Sequence, residues 1–159
     1  MSDAHRLKMR ATLNECLLHA EILQQDLDEL GDTTFSPADL ELSLAPATVR
    51  LLDQLAYRFA KLQDSLGEKM LPLLLLVAEE PMAPTTTFAE KLQRLERLGY
   101  IPSAEQWRLL REVRNQIAHE YPEHPEIKAA VLNRLLQSGR ELLAFWGHLL
   151  PIAERMLAD

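Results

Sequence analysis

The chain has 159 residues, 47% of them hydrophobic, with 17 Lys and Arg against 24 Asp and Glu, for a formal net charge of -7. That is enough chain for one buried core, and the near-average apolar fraction without repeats excludes wholesale disorder, collagen-like structure, solenoids and propellers. The acidic surplus argues against broad nonspecific nucleic-acid binding, whose affinity comes from Lys and Arg on phosphates, but allows a small local basic site.

From Asp3 to Leu30, the apolar residues Leu7, Leu13, Leu17, Leu18, Ile22, Leu23, Leu27 and Leu30, with repeated spacings of three and four, predict a first amphipathic helix, with Gly31 as its stop signal. Asp32 to Pro46 reads as a loop with room for one short helical turn starting at Pro37. A second helix runs from Pro46 with a stripe of Val49, Leu52, Leu55, Phe59, Leu62 and Leu66. Gly67 and Pro72 predict a bend or break, followed by a buried helical piece through Leu71 to Ala78.

Glu80 to Thr86, with Pro81 and Pro84, is a predicted loop. Thr87 with Glu90 then forms a capping box opening a third helix from Phe88 to Leu98, ended by Gly99. Ser103 with Gln106 repeats that logic for a fourth helix running towards Tyr121, where Pro122 stops it. Pro125 starts a last helix reaching about Leu157, with bending expected at Gly139, Gly147 or Pro151. No alternating strand pattern bounded by turn signals occurs. The expected fold is all-α, an antiparallel up-and-down helical bundle of four main helices with short extra ones, forming one domain over residues 1–159.

The lone cysteine, Cys16, has no disulfide partner within the chain, and no Cys/His spacing suits a metal, so neither metal nor cofactor is expected. Cys16 reads as a small core residue, and His5, His19, His124 and His148 as residues of the surface or helix ends. The polar, charged start from Met1 to Arg10 does not read as a signal peptide. The longest apolar run, Met70 to Ala78, falls short of the ~20 residues that span a bilayer. A cytoplasmic protein without membrane contact is the expectation.

The unusual segment is Arg111 to Tyr121. At ~100° per residue, Trp107, Leu110, Val113, Ile117 and Tyr121 gather on one face, and Arg114 falls inside its edge. A cation there calls for an internal carboxylate, an interface or an anionic ligand. Asp53, Arg58, Lys61 and Asp64 are spaced for ion pairs along the second helix, and Asp53 or Asp64 could instead pair with Arg114. Arg111, Asn115 and His119 follow at four-residue steps on the neighbouring face. Arg114 and His119 stand roughly 140° apart on an ideal helix, so one helix does not aim both at one atom. Either the helix distorts in its last turn, or two copies pack so that the arginine of one meets the histidine of the other.

Arg114-Asn115-Gln116-Ile117-Ala118-His119-Glu120-Tyr121 resembles the signature of the HEPN superfamily, in which arginine, usually followed by a polar residue, precedes histidine by a short spacing. It also resembles the extended form of HepT-type toxins, with tyrosine two residues beyond the histidine. Tyr57 to Asp64 is more loosely similar to the second helix of small HEPN proteins.

The resemblance implies a homodimer across the motif helices and a metal-independent endoribonuclease. His119 would be the general acid/base for attack of the ribose 2'-OH on its own phosphodiester, Arg114 the phosphate holder, Asn115 a polar helper and Arg111 a further substrate contact. The partner implied is a minimal nucleotidyltransferase antitoxin, abbreviated MNT, which transfers AMP to the motif tyrosine, here Tyr121. On the residues alone, Tyr121 also reads as a tyrosine closing the apolar face, and the two roles are compatible. A non-catalytic subunit that binds a nucleotidyltransferase, or a plain helical scaffold, are the alternatives to the ribonuclease toxin.

Overall fold

The computed structural model describes residues 2–119 and 124–159. Its elements are α1 (Asp3–Leu30), α2 (Pro37–Glu41), α3 (Pro46–Ser65), a π-helical turn (Leu66–Met70), α4 (Leu71–Val77), α5 (Phe88–Arg97), α6 (Ala104–Gln116) and α7 (Pro125–Ala158), with no strand among the described residues. The all-α expectation therefore holds.

The helix ends follow from local chemistry. The Ser2 hydroxyl accepts from the His5 amide at 3.1 Å and starts α1, while Gly31, at φ 56, closes it with its amide on the Leu27 carbonyl. Ser36 and Asp39 cap α2 reciprocally, as Thr87 and Glu90 cap α5. Gly99, at φ 77, ends α5 with the Tyr100 amide on the Leu95 carbonyl and its own amide on Glu96, the Schellman pairing that a left-handed residue permits. At Ser103 one half of the expected box is present, the hydroxyl accepting from the Gln106 amide at 3.1 Å.

Two expectations are refined. Near Gly67, where the sequence predicts a bend or a break, the helix is irregular but unbroken: α3 passes through the π-helical turn directly into α4, the buried piece expected after it. Pro72 cannot donate to a carbonyl four residues back and its ring crowds that carbonyl, and one wider turn, closed by the Leu71 amide on the Leu66 carbonyl, absorbs both problems. The fourth helix ends at Gln116 rather than near Tyr121. The last helix, by contrast, runs through Gly139, Gly147 and Pro151 as one element.

The helix pairs around α1 run in opposite senses. Arg6 near the start of α1 donates to the Leu157 carbonyl at the end of α7 at 2.8 Å, and Arg140 reaches back to the Gly31 carbonyl. Along α3, Gln54 meets Asp26, Arg58 meets His19, and beyond it Lys69 meets Glu15. Buried leucines from every helix except α2 join Phe59, Trp107, Phe145 and Trp146 in one apolar cluster. Gly139 allows α7 to approach α1, since a Cβ there would lie 3.3 Å from Leu27 Cδ1. Gly67 is tighter still, its missing Cβ lying 2.9 Å from Trp107 Cζ2, and that indole is itself backed by Phe145 at 5.4 Å between ring centroids.

Cys16 is fully buried, and burial together with the nearby Glu15 charge pushes its thiol up to about 12. His19 corrects the surface expectation: it is buried on the α1 face toward α3, where Arg58 Nη1 donates to its Nδ1 at 3.0 Å. Arg58 thus leaves the ion-pair row expected along α3, and with Lys61 it lies over the Tyr57 ring, at 5.4 and 5.6 Å from its centroid. Burial first, and the Arg58 charge second, lower the His19 pKa from its ordinary 6.5; Lys61 and Lys69 act the same way and Glu15 opposes them.

A histidine whose folded pKa is depressed contributes stability that is complete above the unfolded value of about 6.5 and lost as pH falls below it. The unfolding free energy should therefore drop between pH 7 and pH 5.5 in urea titrations, and His19→Gln should flatten that slope. Gly67→Ala should lower stability by about 1–2 kcal/mol, the strain against Trp107 outweighing the gain in helix propensity; urea midpoints of the two proteins measure it.

Candidate functional site

The amphipathic pattern of α6 turns Trp107, Leu110 and Val113 into the core and leaves Arg114 at the rim of that face, 28% exposed. Of the three explanations that its position allowed, an internal carboxylate is the one found. It is Asp64, at the last turn of α3, and not Asp53. Arg114 Nε donates to Asp64 Oδ1 at 3.3 Å and Nη2 to Oδ2 at 3.2 Å, a two-pronged grip matched to the planar guanidinium. Arg111, one turn earlier, donates from Nη1 to Oδ1 at 2.8 Å.

Two guanidinium groups thus share one carboxylate, one cation more than the anion they grip, with Glu68 on the wall of the adjoining cavity. Partial burial by itself would raise the Asp64 carboxyl, but hydrogen bonds from Arg114 and then Arg111, with their charges, outweigh it and hold it below the usual carboxylate range.

Asn115 and His119 are both exposed, and neither side chain has a hydrogen-bond partner among the described residues. His119 stands beyond the end of α6, its amide on the Gln116 carbonyl at 3.1 Å. The 140° separation drawn for an ideal helix therefore does not apply to the Arg114 and His119 pair, because the helix stops between them. Tyr121, the expected modification site, lies outside the described residues, as does Pro122. Among the described residues no three His, Cys, Asp or Glu side chains gather as a metal site, and no helix is long and apolar enough to cross a membrane.

Beside the arginine pair lies a cavity of about 320 Å³. Gln63, Asp64, Gly67 and Glu68 line it from the end of α3 and the π-helical turn, and Phe88, Trp107 and Arg111 from α5 and α6. Gln63 is fully buried, yet neither atom of its terminal amide has a hydrogen-bond partner among the described residues. Such a group costs about 1–3 kcal/mol to bury. Sequence reasoning missed Gln63, although a signal existed: it stands four residues after Phe59, a polar residue at a core position of the stripe.

No family model, curated protein or solved structure matches this chain.

Asp64→Asn keeps the shape of the side chain and removes the charge that grips both arginines. It should lower stability by about 1 kcal/mol at pH 7, the exposure of the partners keeping the effect small. Because the folded pKa of Asp64 is depressed, that contribution is present above the ordinary carboxylate value of 3.8 and lost as pH falls through the folded value. The difference between the two proteins in urea titrations should shrink steadily below about pH 4.

Proposed function

We propose that this chain is a metal-independent endoribonuclease toxin of HEPN type, working as a homodimer and silenced by a minimal nucleotidyltransferase antitoxin. The observation that carries the reading is the surplus guanidinium charge at Arg111 and Arg114, held in place by Asp64, five residues before an exposed histidine just past the end of the same helix. A preorganised arginine pair is suited to a phosphodiester and to the charge that builds on it during cleavage. The net charge of -7 restricts productive binding to such a local site.

In the proposed reaction the ribose 2'-oxygen forms a bond to the phosphorus, the bond from phosphorus to the 5'-oxygen breaks, and a 2',3'-cyclic phosphate remains. A histidine takes the proton from the 2'-OH, and a histidine returns one to the leaving 5'-oxygen. His119 of one copy and its counterpart in the second copy would divide these tasks. Arg114 would hold the scissile phosphate, Arg111 a neighbouring phosphate, and Asn115 would orient the phosphate or the imidazole. Transfer of AMP from ATP to Tyr121 by the partner, with release of pyrophosphate, would place a bulky anion two residues from His119 and repel RNA.

One observation favours the second reading, a non-catalytic subunit that binds a nucleotidyltransferase. Arg114 already has both prongs on Asp64, the arrangement of an arginine that ties two helices together.

Cleavage of a structured RNA in EDTA separates the two. The ribonuclease reading expects products with cyclic phosphate ends, and a loss of rate of about 100-fold or more in His119→Ala and in Arg114→Ala. Intact RNA after incubation with unmodified, dimeric protein would give the weight to the binding subunit.

A further inference from the structure

Tyr57 stands on the outer side of α3, 54% exposed, seven residues before Asp64 and so two turns away on the same face. Lys61 lies between them, four residues after the tyrosine and three before the aspartate. Its Nζ is 5.6 Å from the centroid of the Tyr57 ring, and Arg58 Cζ is 5.4 Å from it. Neither cation has a carboxylate partner among the described residues: the half-buried Arg58 gives its hydrogen bond to His19, and the exposed Lys61 makes no ion pair. The stripe ends about 10 Å along the helix, at the carboxylate that Arg111 and Arg114 grip.

Four cations thus gather around one carboxylate, with Asp53 one turn before Tyr57 and Glu68 one turn beyond Asp64 marking the ends of the stripe. The net charge of -7 does not describe this face, because eight of the 24 acidic residues fall within residues 11–49, where no Lys or Arg occurs. A polyanion that also carries flat rings is complementary to such a stripe, its phosphates meeting the unpaired cations and a base lying on the tyrosine. Cation contacts to an exposed ring are weak, so a base can take the ring face and leave the cations to its phosphates. Only an unstacked base can do so, which selects a single strand over a duplex.

We propose that this face of α3 is a track for single-stranded RNA leading to the arginine pair, with Tyr57 as the stacking platform for a base and Lys61 as a phosphate contact. It rests on the ribonuclease reading for the choice of RNA, and extends that reading to residues outside the motif helix.

The test is fluorescence anisotropy of a labelled single-stranded 2'-O-methyl RNA, which lacks the attacking hydroxyl and stays intact, titrated with the full chain beside the duplex of the same sequence. The single strand should bind more tightly than the duplex. Tyr57→Ala should weaken its binding about tenfold, and Tyr57→Phe should restore it. Lys61→Gln should weaken it and reduce the slope of log affinity against log salt by about 0.7, the share of one phosphate on a single strand. Both side chains are exposed, so the urea midpoints of the variants should stay close to that of the parent.

Absence of single-strand binding, binding unchanged in both Tyr57→Ala and Lys61→Gln, or duplex bound as tightly as single strand overturns the track. An acidic peptide of equal charge bound as tightly as the RNA overturns it in favour of a protein partner. Binding that depends on Tyr57 and Lys61 in a protein that leaves cleavable RNA intact would sink the ribonuclease reading and leave the track standing. Cleavage by a protein whose RNA binding ignores both substitutions would do the reverse.

Discussion

The carboxylate of Asp64 is the point on which the functional end of this molecule depends. It stands at the end of α3 and takes three hydrogen bonds from two arginines of α6, so a single charge ties the rims of two helices already packed through the core and sets the direction of both guanidinium groups. An arginine side chain has much rotamer freedom to lose, and a partner that has already frozen it removes that cost from any later encounter with an anion. The same grip limits what Arg114 can do, since a phosphate must either share it with Asp64 or displace that carboxylate. The surplus charge, not the arginine count, is what remains for a ligand.

The π-helical turn has a comparable place in the architecture. It allows a proline within an otherwise unbroken helical run, it carries the glycine against which Trp107 lies, and it lines the cavity next to the arginine pair. Wider turns of this kind are frequent at functional sites, because the helix there gives up regular hydrogen bonding for local shape. Here the shape is a recess with the Trp107 indole on one side and the fully buried Gln63 behind another.

Much of the fold was legible in the sequence because the signals are local. Capping residues, Gly31 and Gly99, and the three-and-four spacing of leucines mark α1, α3, α5 and α7 without reference to tertiary contacts, and Asp64 was among the two carboxylates within the reach considered for Arg114. What escaped was decided by tertiary context or by competing local rules. His19 falls in register with Cys16 and Leu23 on the buried stripe, but a lone histidine carries no label for burial, and only Arg58 across the seam makes that position tolerable. Gln63 stands equally in register with Phe59, and that register was the one local sign of its burial, overshadowed by the apolar Leu62 beside it. Gly67 and Pro72 together read as a bend or a break because either alone weakens a helix, whereas the packed leucines on both sides hold the run continuous through a wider turn. How the chain proceeds from Arg114 to His119 depends on where α6 stops, and the apolar face continuing to Ile117 and Tyr121 masks that end.

The fully buried Cys16 on α1 gives the molecule an internal gauge. With its sulfur sealed between the helices and its proton held to about pH 12, it presents almost no thiolate at neutral pH and no path for a reagent while the core is closed. Alkylation must wait for α1 to part from its neighbours, so the rate at which this one thiol reacts counts the openings of the innermost packing. The count requires no added probe and is insensitive to events confined to the arginine pair and its cavity.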